Sequence, residues 1–243
     1  MPSRPLIGVL AVLLLGVPAP TALAQPPADE VAAPSRAEGA TTARLVTATY
    51  ARRQPGASGR GRRVSAQTDW SGQTTVLLVL EAAETDGRQW LKVLLPDRPN
   101  GATGWIERDR VVLRHTPYWV DVRLRSRRVV AYRHGRRVRS VRAVIGKPAT
   151  PTPRGLAAIY ERNRQPDPGG FLGPWALPLT SHSDVLERFG GGPGRVGIHG
   201  RAGASLDDPL GSARSHGCIR IDNGDIAWMA RRLPAGTPVD VRR

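Results

Sequence analysis

Short apolar runs separated by turn residues most constrain what this chain can fold into. Between residues 47 and 113 the runs are TVLLVL (75–80), WLKVLL (90–95) and GWI (104–106), and the turn clusters TDGR and PDRPNGATG lie between them. Runs of this length at close, regular spacing are typical of strands in a small β-barrel or sandwich. We therefore expect the first folded unit of the chain to consist of β-strands.

The segment WVDVRLRSRRVVAYRHGRRVRSVRAV (119–144) has a different character. Val120 and Val122 alternate with charged residues, and the same period continues on both sides of His134-Gly135. A period of two around a two-residue turn predicts a β-hairpin with one apolar face and one basic face.

Two later stretches lack any period. GKPATPTPRG (146–155) contains three prolines and two glycines, which exclude a helix and a central strand, so we predict a loop. Residues 165–195 form a long irregular stretch that holds Phe171, Trp175 and His182. Loops this long in a compact domain are usually functional, and we predict a lid over a cleft.

The C-terminal residues predict one helix and one strand. In DNGDIAWMARRL, an Asp or Asn cap precedes apolar residues spaced three to four apart at Ile226, Met229 and Leu233. This spacing predicts a short helix packed on the core. The closing TPVDV predicts a terminal strand.

Residues 1–24 predict a secretory signal peptide. Arg4 precedes an apolar run of twelve residues (6–17), and Ala-Leu-Ala (22–24) follows it. The run is shorter than the roughly 20 residues that span a bilayer, so an uncleaved anchor is the less favoured alternative. Residues 25–42, rich in Pro, Ala and Thr, predict a flexible linker. We expect a secreted protein of the periplasm or cell wall, in contact with the membrane only through its signal peptide.

The formal net charge of +16 comes mostly from arginine. A strongly basic chain favours polyanionic surroundings. Export and the lack of a recognisable nucleic-acid module argue against nucleic acid, so we expect anionic cell-wall polymers as partners. The alternative is that these arginines form an ordinary solvated surface.

Cys218 is the only cysteine in the 243 residues. An unpaired thiol in an exported chain indicates a reactive group, an intermolecular disulfide or a small buried side chain. If residues 215–221 are extended, His216, Cys218 and Arg220 share one face of the strand. Gly217 would leave space beside the thiol and amide N–H groups open to an oxyanion.

Two histidines are candidates for activating this thiol. His216 is two residues away, and neighbours at that spacing lie side by side on a strand. His199, in VGIHG, can approach from a separate strand and aim a ring nitrogen at the sulfur. This geometry favours His199 as the base, with a backbone carbonyl such as that of Gly200 as its orienting partner.

These residues resemble a known family signature. GIHG and SHGCIR, with fifteen residues between His199 and Ser215, are similar to the signature of the L,D-transpeptidase family (the YkuD-type catalytic domain). VIGKPATPTPRG looks like the Gly-Lys…Thr-Pro-x-Gly segment of that family. The resemblance covers about residues 117–243.

The resemblance implies a role for each matching residue. Cys218 would be the nucleophile and His199 the base, oriented by Gly200, while His216 and Gly217 would frame the oxyanion hole. The substrate-binding candidates are Ser215, Arg220 and, in the predicted lid, Trp175. Ser215 could instead form a turn hydrogen bond, and Arg220 could hold a substrate carboxylate or brace the loop. No metal or cofactor is implied.

A mainly β fold follows from these interpretations. We predict a small SH3-like β-barrel (43–115) and then a β-rich L,D-transpeptidase catalytic domain (116–243) with one or two short helices. The upstream resemblance to bacterial SH3-like domains rests on Trp90 and Trp105, which could equally be core residues of another small barrel.

The implied activity is that of a peptidoglycan L,D-transpeptidase. Cys218 would attack a tetrapeptide stem, release D-alanine and pass the acyl group to a neighbouring stem, giving a 3→3 cross-link in cell-wall biogenesis. Water as acceptor would make an L,D-carboxypeptidase, and a protein amine would make a protein-to-wall ligase. The family also implies acylation by carbapenems.

Two alternatives come from other classes of protein. A zinc hydrolase could use His199, His216 and Cys218 as ligands, although the chain has no HExxH-like or CxxC spacing. A non-catalytic protein could bind the wall through its basic β-domains, with Cys218 vestigial.

Overall fold

The computed structural model describes residues 31–243. The predicted signal peptide and the first part of the predicted linker lie outside these residues. The described chain is built almost entirely from β-strands, so the predicted mainly β fold is confirmed. It comprises an N-terminal unit (31–116) and a C-terminal unit (117–243).

The N-terminal unit is an antiparallel sheet with a separate hairpin. The sheet order is β6-β5-β4-β1-β7, and β2 pairs with β3. Two backbone hydrogen bonds of 2.8 Å between Arg52 and Trp105 join the hairpin to β6. The strands are β1 Ala40–Leu45, β2 Thr49–Ala51, β3 Arg62–Val64, β4 Val76–Thr85, β5 Arg88–Leu94, β6 Thr103–Glu107 and β7 Val111–Thr116.

The three apolar runs of this unit form β4, β5 and β6, as predicted. Their inward-facing residues, such as Leu77, Leu91 and Ile106, share one buried apolar cluster. The likeness to an SH3-like barrel stays a prediction.

The predicted linker (25–42) extends too far, because its last three residues belong to strand β1. β1 begins at Ala40, inside residues 25–42, because its backbone pairs with β4 on one side and β7 on the other. Just upstream, Ser35 and Gly39 close a turn with hydrogen bonds of 2.9 and 2.8 Å.

The C-terminal unit contains two larger sheets that pack across a common core. One has the order β10-β9-β8-β18-β12, the other β13-β14-β15-β17, and β11 pairs separately with β16. Val120, Leu177 and Ile198 are among the core residues that these sheets contribute. The elements are β8 Tyr118–Arg123, β9 Arg128–Arg133, β10 Arg136–Arg142, β11 Ile145–Gly146, β12 Gly155–Ala158, β13 Asn163–Arg164, β14 Trp175–His182, β15 Arg195–His199, β16 Ala213–Ser215, β17 Ile219–Arg220, α1 Asn223–Arg232 and β18 Pro238–Arg242.

Several predictions for this unit are confirmed. β9 and β10 form a hairpin around His134-Gly135, where both residues have positive φ, as a tight two-residue turn requires. Helix α1 begins at the predicted place, and the Asp222 side chain caps it by accepting the Gly224 N–H. β18 is the terminal strand. No helix within residues 31–243 has the length and apolar character needed to cross a membrane.

The prediction of an irregular stretch over the whole of residues 165–195 is wrong. Its middle forms the eight-residue strand β14, which is buried along almost its whole length. A strand covered on both faces has no alternation of apolar and polar residues, and Pro178 further hides the pattern. What remains irregular is a loop before β14 (165–174) and a loop after it (183–194).

Candidate functional site

Cys218 lies in a bend between β16 and β17, and not on a continuous strand. Gly217 has a φ of +118°, a conformation that L side chains rarely adopt, so the chain turns here. The prediction that residues 215–221 are extended is therefore wrong at 216–218. Cys218 is half-buried and unpaired.

Ser215 holds this bend together. Its hydroxyl donates to the Cys218 carbonyl at 2.6 Å and accepts the Gly217 N–H at 3.1 Å. Ser215 is fully buried. Of its two predicted roles, these contacts support the turn hydrogen bond. The Gly217 N–H is already engaged, which argues against its predicted role in an oxyanion hole.

The predicted loop at 146–155 supports the same bend from the other side. The Thr152 hydroxyl donates to the Gly217 carbonyl at 2.8 Å and accepts the Gly146 N–H at 2.9 Å. The Lys147 N–H donates to the Ser215 carbonyl at 2.9 Å. Gly146 has no room for a side chain, since a Cβ would lie 2.4 Å from the Thr152 nitrogen. Thr152 belongs to the Thr-Pro-x-Gly segment that the family resemblance singled out, but its hydrogen bonds to the bend could not be predicted from the sequence.

His199 ends β15, which runs parallel to β17, with His199 in register with Arg220. Its Nδ1 lies 2.8 Å from the Gly200 carbonyl oxygen. Because a carbonyl only accepts, Nδ1 carries the proton of the neutral ring, and Nε2 is left with its lone pair.

Burial controls the charge of this imidazole. Desolvation, with a smaller contribution from the Arg220 charge, lowers the pKa of His199 to about 4, although hydrogen bonds to the Gly200 and Leu172 backbones act in the opposite direction. At neutral pH the ring is therefore uncharged and able to accept a proton.

Burial acts on the thiol in the opposite direction. Desolvation raises the pKa of Cys218, while a hydrogen bond with the Gly197 backbone and the Arg220 charge lower it in part. The resting pair at neutral pH is therefore a neutral thiol and a neutral imidazole. A thiolate at Cys218 therefore forms only when a base removes the proton.

His216 has different surroundings from His199. It is exposed, its Nε2 lies 3.3 Å from Lys147 Nζ, and its ring stacks on Phe189 at a centroid distance of 5.3 Å. This ring borders the solvent side of the bend, next to a cationic side chain.

Arg220 is buried and already paired. Its guanidinium donates to the Asp208 carboxylate at 2.6 Å and lies 4.8 Å from the centre of the Phe171 ring. Of its two predicted roles, bracing the loop fits these contacts, because Asp208 takes the place of a substrate carboxylate. No pattern in the sequence pointed to Asp208, which lies twelve residues away from Arg220.

Trp175 and His182 lie at the two ends of β14, and the substrate-binding role of Trp175 stays a prediction. Trp175 begins β14 and packs against the main core, and its carbonyl accepts the Gly200 N–H at 3.1 Å. His182 ends β14 and is buried where the two units meet. Burial, together with the charges of Arg195 and Arg98, lowers the pKa of His182 to about 4.

Asn223 is a further positioning residue that the sequence analysis did not assign. Its side chain exchanges two hydrogen bonds with the Arg201 backbone, at 2.7 and 2.9 Å. It thereby fixes the chain immediately after His199 and Gly200. The signal available was an Asn beside the helix cap, which is too common to identify a site.

No three His, Cys, Asp or Glu side chains within residues 31–243 are grouped so that they could hold a metal ion. The ligand set considered for a zinc hydrolase, His199 with His216 and Cys218, is therefore not assembled here.

Comparisons with known proteins agree on the C-terminal unit. Residues 117–241 match the family model described as YkuD, L,D-transpeptidase catalytic domain. The chain is similar to YkuD proteins of Bacillus licheniformis (36% identity over 125 residues, 51% of this chain and 66% of the relative) and Bacillus subtilis (31% over 127 residues, 52% and 67%), both provisionally named as L,D-transpeptidases. The Mycobacterium smegmatis L,D-transpeptidase structure has a TM-score of 0.44 at 17% identity, and the match covers 83% of this chain and 99% of that one.

Proposed function

The chain belongs to the YkuD family of L,D-transpeptidase catalytic domains, and we propose that it is a peptidoglycan L,D-transpeptidase whose nucleophile is Cys218. The proposed reaction transfers the acyl group of a tetrapeptide stem, releases D-alanine and forms a 3→3 cross-link. The supporting observation is the state of His199, a neutral ring whose Nδ1 proton is held by Gly200, next to the strand that follows the thiol.

The first half-reaction generates and uses the nucleophile. As sulfur attacks the carbonyl carbon of the third stem residue, the thiol proton passes to His199 Nε2, and the new imidazolium keeps its Nδ1–H on the Gly200 carbonyl. The carbon–nitrogen bond to D-alanine then breaks, and the imidazolium returns its proton to the leaving amine. The product is a thioester on Cys218.

The second half-reaction resolves the thioester. The side-chain amine of a neighbouring stem attacks the thioester carbon and gives a proton to His199. The carbon–sulfur bond breaks, and the departing sulfur recovers that proton as a thiol. Water in place of the amine gives a carboxypeptidase, and a protein amine gives attachment to the wall.

The flanking residues have supporting roles in this proposal. Ser215 and Thr152 fix the bend that presents the sulfur. Lys147, whose Nζ lies 3.3 Å from His216 Nε2, supplies positive charge on the solvent side of the site, where negative charge develops in the transition state. Gly217 supplies the bend and not an oxyanion donor, because its N–H is engaged with Ser215.

The proposal includes an exported protein that works on an anionic cell wall. The net charge of +16 and the exposed arginines of the β9–β10 hairpin, among them Arg136 and Arg137, favour contact with anionic polymers.

Intact-protein mass spectrometry with a disaccharide-tetrapeptide tests the proposal. We expect a thioester adduct on the wild-type protein, free D-alanine and a dimeric muropeptide, and none of these with Cys218→Ala. A carbapenem should leave a covalent adduct on the same residue. A protein that forms neither adduct, and still binds isolated walls in a salt-dependent manner, would point to the non-catalytic alternative.

A further inference from the structure

The loop at residues 183–194 is rich in glycine and reaches the His216 ring. It contains Gly190 and Gly191, both at positive φ with open space around them. Inside the loop, Phe189 and Gly192 exchange two backbone hydrogen bonds of 3.1 and 3.0 Å. Glycine-rich loops of this kind lose much conformational freedom when they are ordered. Even so, the Phe189 ring stacks on His216 beside the thiol.

The Ser183 N–H also donates to the Gly194 carbonyl at 2.8 Å and closes the loop at its base. The other unit adds further contacts. Arg98, in the turn between β5 and β6, donates from one guanidinium nitrogen to the Ser183 carbonyl at 2.7 Å. Its other terminal nitrogen donates to the Leu186 and Pro193 carbonyls at 3.1 and 3.2 Å. One side chain therefore ties together both ends of the loop.

Asn100 of the same turn secures the start of the loop. Its amide exchanges two hydrogen bonds of 2.7 Å with the His182 backbone and donates to the Asp184 carboxylate at 2.8 Å. Arg98 and Asn100 together, which we call the anchor, thus make six hydrogen bonds to residues 182–193.

The anchor is itself held in place by the interface between the units. Arg195 donates to the Pro96 carbonyl at 3.1 Å and lies over the Tyr160 ring at 4.4 Å. Further along, the buried Glu161 carboxylate accepts the Ser71 hydroxyl at 2.7 Å. An apolar cluster that includes Leu78 and Ala158 also joins the units.

We propose that Arg98 and Asn100 are positioning residues for acyl transfer, with which the N-terminal unit holds Phe189 against His216 and so shapes the approach of the stem peptide to Cys218. This inference rests on the proposed function and deepens it. Phe189 is 47% exposed, so its free face is available to a bound substrate. The N-terminal unit thus completes one wall of the site, although Arg98 and Ser183, which its hydrogen bond joins, are 85 residues apart in sequence.

The test compares Arg98→Ala, Phe189→Ala and the double variant. In Arg98→Ala we expect amide hydrogen exchange in residues 183–194 to rise about ten-fold, with residues 165–174 unchanged. We expect KM for D-alanine release from the tetrapeptide to rise about five-fold with less than a two-fold change in kcat, because the base and nucleophile stay in place. Iodoacetamide should alkylate Cys218 about three-fold faster, because the thiol is less covered.

The double variant separates a specific effect from a general one. If Arg98 acts through Phe189, Arg98→Ala adds nothing to the alkylation rate or KM of Phe189→Ala.

Arg52→Ala is the matched control: its guanidinium contacts Ala57, Glu107 and Trp90, all within the N-terminal unit. It should lower the melting temperature at least as much as Arg98→Ala and leave the loop exchange, the alkylation rate and KM unchanged. Arg98→Lys should restore only part of the wild-type behaviour, because a single ammonium group does not reproduce the two terminal nitrogens of the planar guanidinium.

Three results would overturn the inference. The first is folded Arg98→Ala protein whose loop amide exchange and Cys218 alkylation rate are unchanged. The second is a double variant in which the effects of Arg98→Ala and Phe189→Ala on alkylation and KM simply add. The third is an Arg52→Ala variant whose KM rises as much as that of Arg98→Ala. Exchange and alkylation need no peptidoglycan turnover, so they report on the anchor separately. If both change as expected while the wild-type protein releases no D-alanine, the anchoring of the loop holds and the proposed function fails.

Discussion

Two loops border the Cys218 site, and each brings one phenylalanine to one histidine. Phe171, in the 165–174 loop, lies 6.0 Å from the His199 ring, and Phe189, in the 183–194 loop, lies 5.3 Å from the His216 ring. Both loops are closed by their own backbones, the first by the Gln165 N–H on the Pro174 carbonyl at 3.0 Å and the second by the Ser183 N–H on the Gly194 carbonyl at 2.8 Å. The second loop in addition accepts hydrogen bonds from Arg98 of the N-terminal unit.

The two phenylalanine–histidine contacts lie in different surroundings. On the Phe171 side the histidine is buried and uncharged, as a base needs to be, and Arg220 and Asp208 complete the packing. On the Phe189 side the histidine is exposed beside Lys147, at the entrance. Under the proposed function, one loop keeps the base neutral and the other shapes access to the thiol.

Replacing each histidine gives the sharpest contrast. His199→Gln removes the proton acceptor, and we expect the acylation rate to fall by about 10²–10⁴-fold. His216→Gln removes only a supporting group, and we expect a fall of about ten-fold. Single-turnover release of D-alanine measures both rates. Equal losses in the two variants would mean that the base is wrongly assigned.

Acid should destabilise the protein through two buried histidines, His199 near the 165–174 loop and His182 at the start of the 183–194 loop. The folded-state pKa of about 4 lies below the ordinary 6.5 for both His199 and His182, so the unfolded chain binds these protons first as pH falls. This stability is fully present above pH 6.5 and is lost between pH 6.5 and 4, by roughly 3 kcal/mol for His199 alone. Urea unfolding at pH 7 and pH 4 measures it, and His182→Gln should flatten the dependence. A flat profile in the wild-type protein would contradict the burial argument.

The ion pair on the Phe171 side should matter more than an exposed pair. Asp208→Asn leaves the buried Arg220 guanidinium without its carboxylate, and we expect a loss of about 2–3 kcal/mol in the free energy of unfolding. Glu81→Gln, which removes the exposed partner of Lys92, is the control and should cost less than about 1 kcal/mol. Equal losses by urea denaturation would show that Arg220 is better solvated than its 4% exposure indicates.

The smallest expected effect is a shift in the pH dependence of D-alanine release, which should differ between variants of Phe171 and Phe189. Phe171→Ala admits water to His199, so its pKa should rise by about half a unit towards 6.5, and the acid limb of D-alanine release should move up with it. Phe189→Ala should leave that limb in place, because its neighbour His216 is already solvated. A shift in the second variant and not in the first would reverse the comparison.

The strands that could be predicted have either a continuous apolar run between turn residues, as β4 and β5 have, or a period of two, as the β9–β10 hairpin has. Helix α1 has a cap and a helical period. β14 has neither pattern, because it is buried on both faces and Pro178 and polar residues interrupt its apolar residues. The bend at Gly217 was missed for a related reason: a local pattern of isoleucines indicated a strand, while Ser215 and Thr152 turn the chain.

The candidate residues of the site could be named from the sequence, but their partners could not. Cys218 and His199 were identified by residue type, spacing and family resemblance, and the Gly200 carbonyl lies at the His199 ring. Asp208 beside Arg220 and Arg98 beside Ser183 are ordinary charged residues in the sequence.

By itself the sequence determined the β-rich class, the helix and its cap, and the choice of Cys218 and His199 as the candidate pair. These depend on periodicity, capping and residue type, which act over a few positions. Only the tertiary structure decided that His199 is buried and neutral, that Ser215 is committed to the bend, and that Arg98 reaches across to the second loop. Burial and long-range hydrogen bonds depend on which segments the fold brings together, and no local pattern encodes that.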